Sequence, residues 1–218
     1  MMIDLRNASV STRRGGKVGA WSWVLAVVLF LVAQLVAGAG WTTPYSWTSN
    51  NISDLGATSC GPWPDGHRWV CSPWHKIMNI GFVITGALVV LGVVLRWRTD
   101  RAFAGLAGLC VLVAGAAYAV AGLAPGDRHE NVHVVLGALP IFLLGNVGIV
   151  IAALRRSGWG WPRRLTTALL GLLGLAAMVL FFSGNYLGLG MGGMERVIVW
   201  PLLLVLLVAG TTDLRRRT

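Results

Sequence analysis

The chain has 218 residues, of which 56% are hydrophobic and 12% charged, with a formal net charge of +10 and a mean hydropathy of +0.69. That balance excludes an ordinary soluble domain and describes an integral membrane protein. The positive charge needs no nucleic-acid partner, because short arginine-rich connections hold anionic lipid headgroups equally well.

Residues 1–19 are polar and basic, carrying Arg6, Arg13, Arg14 and Lys17. The first uncharged apolar run, Ala20 to Gly40, exceeds the roughly 7 to 15 residues of a signal-peptide core and reads as a helix that is kept. Five further runs follow: Ile77 to Leu95, Ala102 to Ala124, Val132 to Leu154, Leu165 to Ser183 and Val197 to Thr212. A spanning helix needs roughly 20 such residues, so the last run is marginal unless Met194 and Glu195 are counted. The expectation is an all-α, polytopic, six-helix transmembrane bundle over residues 20–214, with a basic tail at 215–218. Its short turns imply antiparallel neighbours.

Basic residues alternate between connections. Arg96, Arg98 and Arg101, then Arg155, Arg156, Arg163 and Arg164, then Arg215, Arg216 and Arg217 join the basic N-terminal segment on one side. Only Arg68, Lys76, Arg128 and Arg196 fall on the other. By the positive-inside rule both termini are cytoplasmic, in the cell membrane. The abundance of arginine over lysine, with alanine, glycine and valine, suggests a bacterial source. All four histidines, His67, His75, His129 and His133, then gather on the outer side.

The one long connection, 41–74, is rich in Trp, Pro, Gly, Ser and Asn. Loops of that length in compact proteins tend to carry function. It holds Cys60 and Cys71, which form either a disulfide, as an oxidising compartment permits, or a pair of free thiols. Asp65 and His67 read as turn residues. Gly105, Gly108, Gly115, Gly171 and Gly174 suit close helix approach, and Asn146 suits an interhelical hydrogen bond. Most tryptophans, Trp23 among them, lie near helix ends and read as interface anchors.

Two constellations carry chemistry. His129-Glu130-Asn131-Val132-His133 fits H-E-x-x-H, in which two histidines one turn apart hold zinc and the glutamate acts as base. The third ligand would be His75, Asp127, Asp54 or Glu195, although the string straddles a turn and a helix start. More broadly, His75 and Asn79 share a face at the start of the second helix. Asp127, Glu130 and His133 precede or open the fourth helix, and Glu195 with Arg196 opens the sixth. Ionisable groups at that depth usually face an interior pocket, whereas an acid at a helix N-terminus is also favoured by the dipole alone.

Asn51-Ile52-Ser53-Asp54-Leu55-Gly56, the following apolar helix with Asn79 and Gly81, Pro125 and Asp127 after the third helix, and His133 atop the fourth together resemble the family catalogued as domain of unknown function 998. That family in turn resembles the DRAM and Frag-type six-helix membrane proteins, which include factors for GPI-anchor lipid remodelling. The resemblance implies a six-helix bundle and directs interest to Ser53, Asp54, Asn79, Asp127 and His133, without an activity.

The leading expectation is a pocket for a lipid or lipid-linked molecule. His133 carries protons in it, Asp54 or Asp127 orients that histidine, and Ser53, Asn79, His75 and Glu195 bind the ligand. The alternatives are a zinc hydrolase built on His129 and His133, and a non-catalytic scaffold whose protein partner docks on Trp63, Trp69 and Trp74.

Overall fold

A computed structural model of the chain describes residues 2–63, 68–155 and 158–216, with side chains over 15–215 of that set. Asp65, His67, Arg156 and Arg217 lie outside the described residues. Six long helices follow one another: α1 Met2–Ala39, α2 His75–Arg96, α3 Leu106–Leu123, α4 Glu130–Leu154, α5 Trp161–Phe182 and α6 Gly190–Arg216. All six are long and apolar enough to cross a membrane, α1 from Gly15 onward. The fold is therefore the expected six-helix bundle.

The boundaries differ from the apolar runs where backbone geometry overrides composition. Gly105, expected inside the third helix, sits just before it with φ at 62°, so residues 102–105 are irregular and α3 starts at Leu106. Such a left-handed backbone suits glycine, which has no Cβ to clash. The sixth helix starts at Gly190 rather than at Val197, because Met194 and Glu195 are buried among neighbours rather than solvated. Within α4 the segment His133–Ala138 forms a π-helical turn ahead of Pro140. Proline offers no N–H and crowds the carbonyl four residues back, and a widened turn relieves both effects.

Each helix packs on the next and α6 returns to α1, closing a ring; α4 also touches α6 directly, which leaves α5 outermost. Among the spans α3 buries the largest share of its residues and α5 the smallest. Leu169, Leu172 and Val179 of α5 accordingly point outward, as a lipid-facing surface would. The centre is filled by Phe30, Phe82 and Tyr118 in edge-to-face contact, with Ile198 and Leu202 beside them. Gly115, Gly171 and Gly174 stand at helix contacts, the last so close that an added Cβ would lie 2.2 Å from Asn146 Oδ1, whereas Gly108 packs on the Phe103 backbone and Trp97. Asn146 Nδ2 donates to Ile198 O at 3.0 Å, an α4–α6 link of the expected kind.

At the arginine-rich end Arg96 is not a solvated loop charge. It is 1% exposed, bonds Asp100 at 2.6 Å and Asp213, and lies 4.5 Å above the Trp23 ring. Trp23 itself is a core residue rather than an interface anchor, its indole N–H donating to Val89 O. This cluster pins α1, α2 and α6 together at the end opposite the long loop.

Candidate functional site

The long loop folds over the opposite end of the ring. Its scaffold is a 3₁₀ turn, Ser53–Gly56, and a two-residue hairpin, β1 Gly61–Pro62 against β2 Trp69–Val70, paired Gly61 to Val70. The Cys60–Cys71 disulfide closes the hairpin, so the oxidised alternative holds.

Asp54 is the hub of the loop. Fully buried, it accepts hydrogen bonds from the Asn51 N–H at 2.9 Å and from Arg68 through Nε at 2.8 Å and Nη2 at 3.1 Å. A two-pronged guanidinium contact of this kind fixes orientation as well as charge. Arg68 also lies 5.0 Å from the Trp63 ring and reaches Met191 Sδ of α6. Further contacts seat the loop on the helices: Ile52 N–H donates to Glu195 Oε2, and Asn79 Nδ2 donates to Gly56 O at 2.9 Å.

Asp127, in the α3–α4 turn, is a clasp. Its Oδ2 accepts from the backbone N–H and hydroxyl of both Thr58 and Ser59, at 2.8 to 3.0 Å. Burial by itself raises this carboxyl, but the four donors outweigh it and hold the group below the ordinary aspartate value. A second clasp joins Tyr45 to Arg196, whose guanidinium also binds the carbonyls of Trp47, Asn50 and Gly192. Burial pushes the Tyr45 phenol above its usual range, against the opposing charge of Arg196.

Beneath the loop lies a cavity of about 310 Å³, whose polar wall is Asn51, Ser53, Arg68, Glu130, His133 and Glu195. Its apolar wall is Trp63, Val134, Phe142, Phe181, Phe182 and Met191. Phe182 and Val134 are exposed on the outside of the bundle, so the cavity reaches the surface between α4 and α5. Deeper in, a chamber of about 20 Å³ is lined by Ser53, Tyr118, His133 and Glu195, with Phe30 and Phe82 below. Ser53, His133, Ala138, Phe142 and Glu195 border both spaces and form the partition between them.

His133 is 8% exposed, and its Nδ1 lies 2.8 Å from Ala124 O. A carbonyl oxygen only accepts, so Nδ1 carries a proton, and in the neutral tautomer that this contact selects the lone pair lies on Nε2. The π-helical turn that starts at His133 brings His133, Val134 and Ala138 to the cavity wall. Turns of this type recur at functional sites.

The sequence-derived residues thus separate. Ser53, His133 and Glu195 come together, and Asp54 adjoins them through Arg68. Neither Asp54 nor Asp127 is a hydrogen-bond partner of His133 among the described residues; one holds Arg68, the other holds Thr58 and Ser59. Asn79 serves Gly56, and His75 is half-buried with Nδ1 3.0 Å from Ser72 O, away from the cavity lining. His129 is exposed and precedes α4 with extended φ, whereas His133 is buried, so the two rings of the H-E-x-x-H string do not present a common face. Among the described residues no three His, Cys, Asp or Glu side chains are grouped to hold a metal ion.

Sequence alone does not single out Arg68 or Tyr118. Arg68 lies 14 positions from its partner, a separation with no periodic signature, and Tyr118 reads as one more apolar core residue of α3.

Fold and site together define a polytopic, six-helix membrane protein with a loop-covered, half-polar cavity at one end. A family model described as "Protein of unknown function (DUF998)" matches residues 24–212, and the chain belongs to that family. No curated protein and no solved structure matches it.

Proposed function

We propose that this protein accommodates a lipid or lipid-linked molecule entering sideways from the membrane, with its polar end at Ser53, Arg68, His133 and Glu195 and its chain along Phe142, Phe181 and Phe182. The supporting observation is a single cavity that has a charged wall, an aromatic wall and an opening between α4 and α5. Ligand sites are commonly mostly apolar with a few convergent polar groups, and an aromatic wall that opens between two membrane-spanning helices suits an acyl chain. His133, whose Nε2 holds the lone pair in the neutral tautomer, is the group suited to acid/base work on the bound molecule; general acid/base catalysis contributes roughly 10²-fold to 10⁴-fold.

The arginine distribution supports a placement in a bacterial cell membrane with both termini cytoplasmic and the cavity facing outward. Labelling of engineered cysteines at Ser59 and Thr99 by an impermeant maleimide on whole cells checks this: Ser59→Cys reacts and Thr99→Cys does not. The zinc alternative has no grouped ligands to support it among the described residues. The scaffold alternative draws support from the exposed Trp69 and Trp74; it requires that alanine at those positions abolish association with a protein partner while the cavity variants leave it intact.

To test the lipid reading, Ala138→Phe fills the partition from the α4 side. Purified wild-type protein should retain a stoichiometric lipid detectable by mass spectrometry of the extract, and the variant should lose it. Equal lipid content in both proteins, at equal folding, contradicts the proposal.

A further inference from the structure

We infer that the small chamber behind the cavity holds the water molecule of an ester hydrolysis, with Tyr118 as its positioning residue and His133 as the base. This deepens the lipid reading and rests on it: the bound molecule would be an ester, such as an acylated glycerol or an acyl chain on a carrier.

Chamber size comes first. At about 20 Å³ the space exceeds the roughly 10 to 15 Å³ needed for one water and falls far short of a lipid group. A buried water also requires two to four polar partners, and the lining supplies that complement. His133 Nε2 and the Glu195 oxygen not engaged by Ile52 are acceptors for the two water hydrogens, while the Tyr118 and Ser53 hydroxyls can donate to its lone pairs.

Tyr118 is the independent pointer. It is fully buried, lines this chamber, and its hydroxyl has no hydrogen-bond partner among the described residues. A buried tyrosine hydroxyl normally finds a partner, since an unmade hydrogen bond leaves its desolvation uncompensated. Phenylalanine would fill the same core position next to Phe30 and Phe82 without that cost, so the hydroxyl marks a ligand, and the chamber admits only a small one.

The partition residues place this water against the reacting bond. Ser53, His133 and Glu195 face both spaces, so an ester whose chain lies along Phe142 and Phe181 brings its carbonyl carbon to the chamber mouth. His133 Nε2 takes one proton from the water as the water oxygen bonds to that carbon. Ala124 O holds the opposite N–H and steadies the imidazolium. Collapse of the tetrahedral adduct breaks the bond from carbon to the alkoxy oxygen, which leaves with the proton returned by His133. One water and one ester give one carboxylic acid and one alcohol, with no other reactant.

The test uses the full chain in lipid nanodiscs, with 4-methylumbelliferyl oleate and a dioleoyl phospholipid as probes, in water enriched in ¹⁸O. The expected result is release of oleate carrying one ¹⁸O atom. His133→Gln should lower kcat by about 10²-fold or more. Tyr118→Phe should lower kcat about tenfold with KM unchanged, as loss of one hydrogen bond to the reacting water predicts. Ser53→Ala should retain more than about a tenth of the rate, since here the serine only solvates the water.

Tyr118→Phe with unchanged kcat, or an acyl group trapped on Ser53 together with an inactive Ser53→Ala, overturns the assignment. Absence of hydrolysis of both probes in a protein that still co-purifies with lipid also overturns it and leaves the binding proposal standing. Loss of lipid co-purification from the wild-type protein brings down both.

Discussion

Replacing Arg68 by alanine leaves the Asp54 carboxylate inside the protein without its cation. The two side chains are 8% and 0% exposed, and the contact is two-pronged, at 2.8 and 3.1 Å. Breaking such a buried pair from one side costs about 3–5 kcal/mol, because the remaining charge keeps its desolvation penalty. The Asn51 N–H and the Asn50 amide still serve the carboxylate, which places the loss toward the lower end. For a chain of this size about 2–4 °C of melting temperature follow each kcal/mol, so Arg68→Ala should melt roughly 6–12 °C lower. Tryptophan fluorescence or fluorescence-detected size exclusion on a temperature series reads this directly. The double variant Arg68→Met with Asp54→Leu should recover most of the loss, since removing both partners abolishes the unpaired charge. A shift below about 2 °C for Arg68→Ala, or additive losses in the double variant within about 0.5 kcal/mol, would refute the view that this pair anchors the loop.

Three further outcomes follow from the same contacts. Gly174→Ala drives a Cβ to 2.2 Å from Asn146 Oδ1; overpacking of this kind costs about 1–3 kcal/mol, and Asn146→Ala in the same chain should return part of the lost thermal stability. Reducing Cys60–Cys71, a bridge of sequence separation 11, should cost about 3 kcal/mol by loop entropy, seen as a lower melting temperature with reductant in the wild type and none in Cys60→Ser with Cys71→Ser. Asp127 has a folded-state value below its ordinary 3.8, so its stabilisation is fully present above the unfolded value and is lost as pH falls through the folded one. The stability difference between wild type and Asp127→Asn should therefore be constant near neutral pH and shrink below pH 3.8; a difference independent of pH down to pH 2 speaks against the clasp.

The bundle was legible because a membrane span leaves a plain trace: some 20 apolar residues must occur together, and charge must leave the middle. Composition gave no access to the points where backbone stereochemistry intervenes, as at Gly105 and before Pro140. Within the site, His133 was visible as an ionisable group at a helix mouth, and Ser53 and Glu195 were among the expected residues. Their mutual placement was not visible, since the loop brings Ile52 and Ser53 to Glu195 across 143 positions of sequence. Asp54 and Asp127 read in sequence as acids near a histidine, yet Asp54 binds Arg68 and the Asn51 N–H while Asp127 holds Thr58 and Ser59 through Oδ2. A carboxylate that accepts several backbone N–H bonds looks the same in sequence as one that orients a base. Tyr118 was hidden for the opposite reason: a single hydroxyl barely alters the apolar character of an eighteen-residue helix.

If the cavity between α4 and α5 receives a lipid with its polar end under the long loop, its two walls should meet different parts of that lipid. Photolabelling with a diazirine-bearing phospholipid in nanodiscs, followed by peptide mapping, tests it most directly. Labels carried on the chain should concentrate on Phe142, Phe181 and Phe182, and labels carried on the headgroup on Trp63 and Met191, with both sets displaced in Ala138→Phe. Adducts spread evenly over the outward leucines of α5, unchanged in that variant, would contradict it.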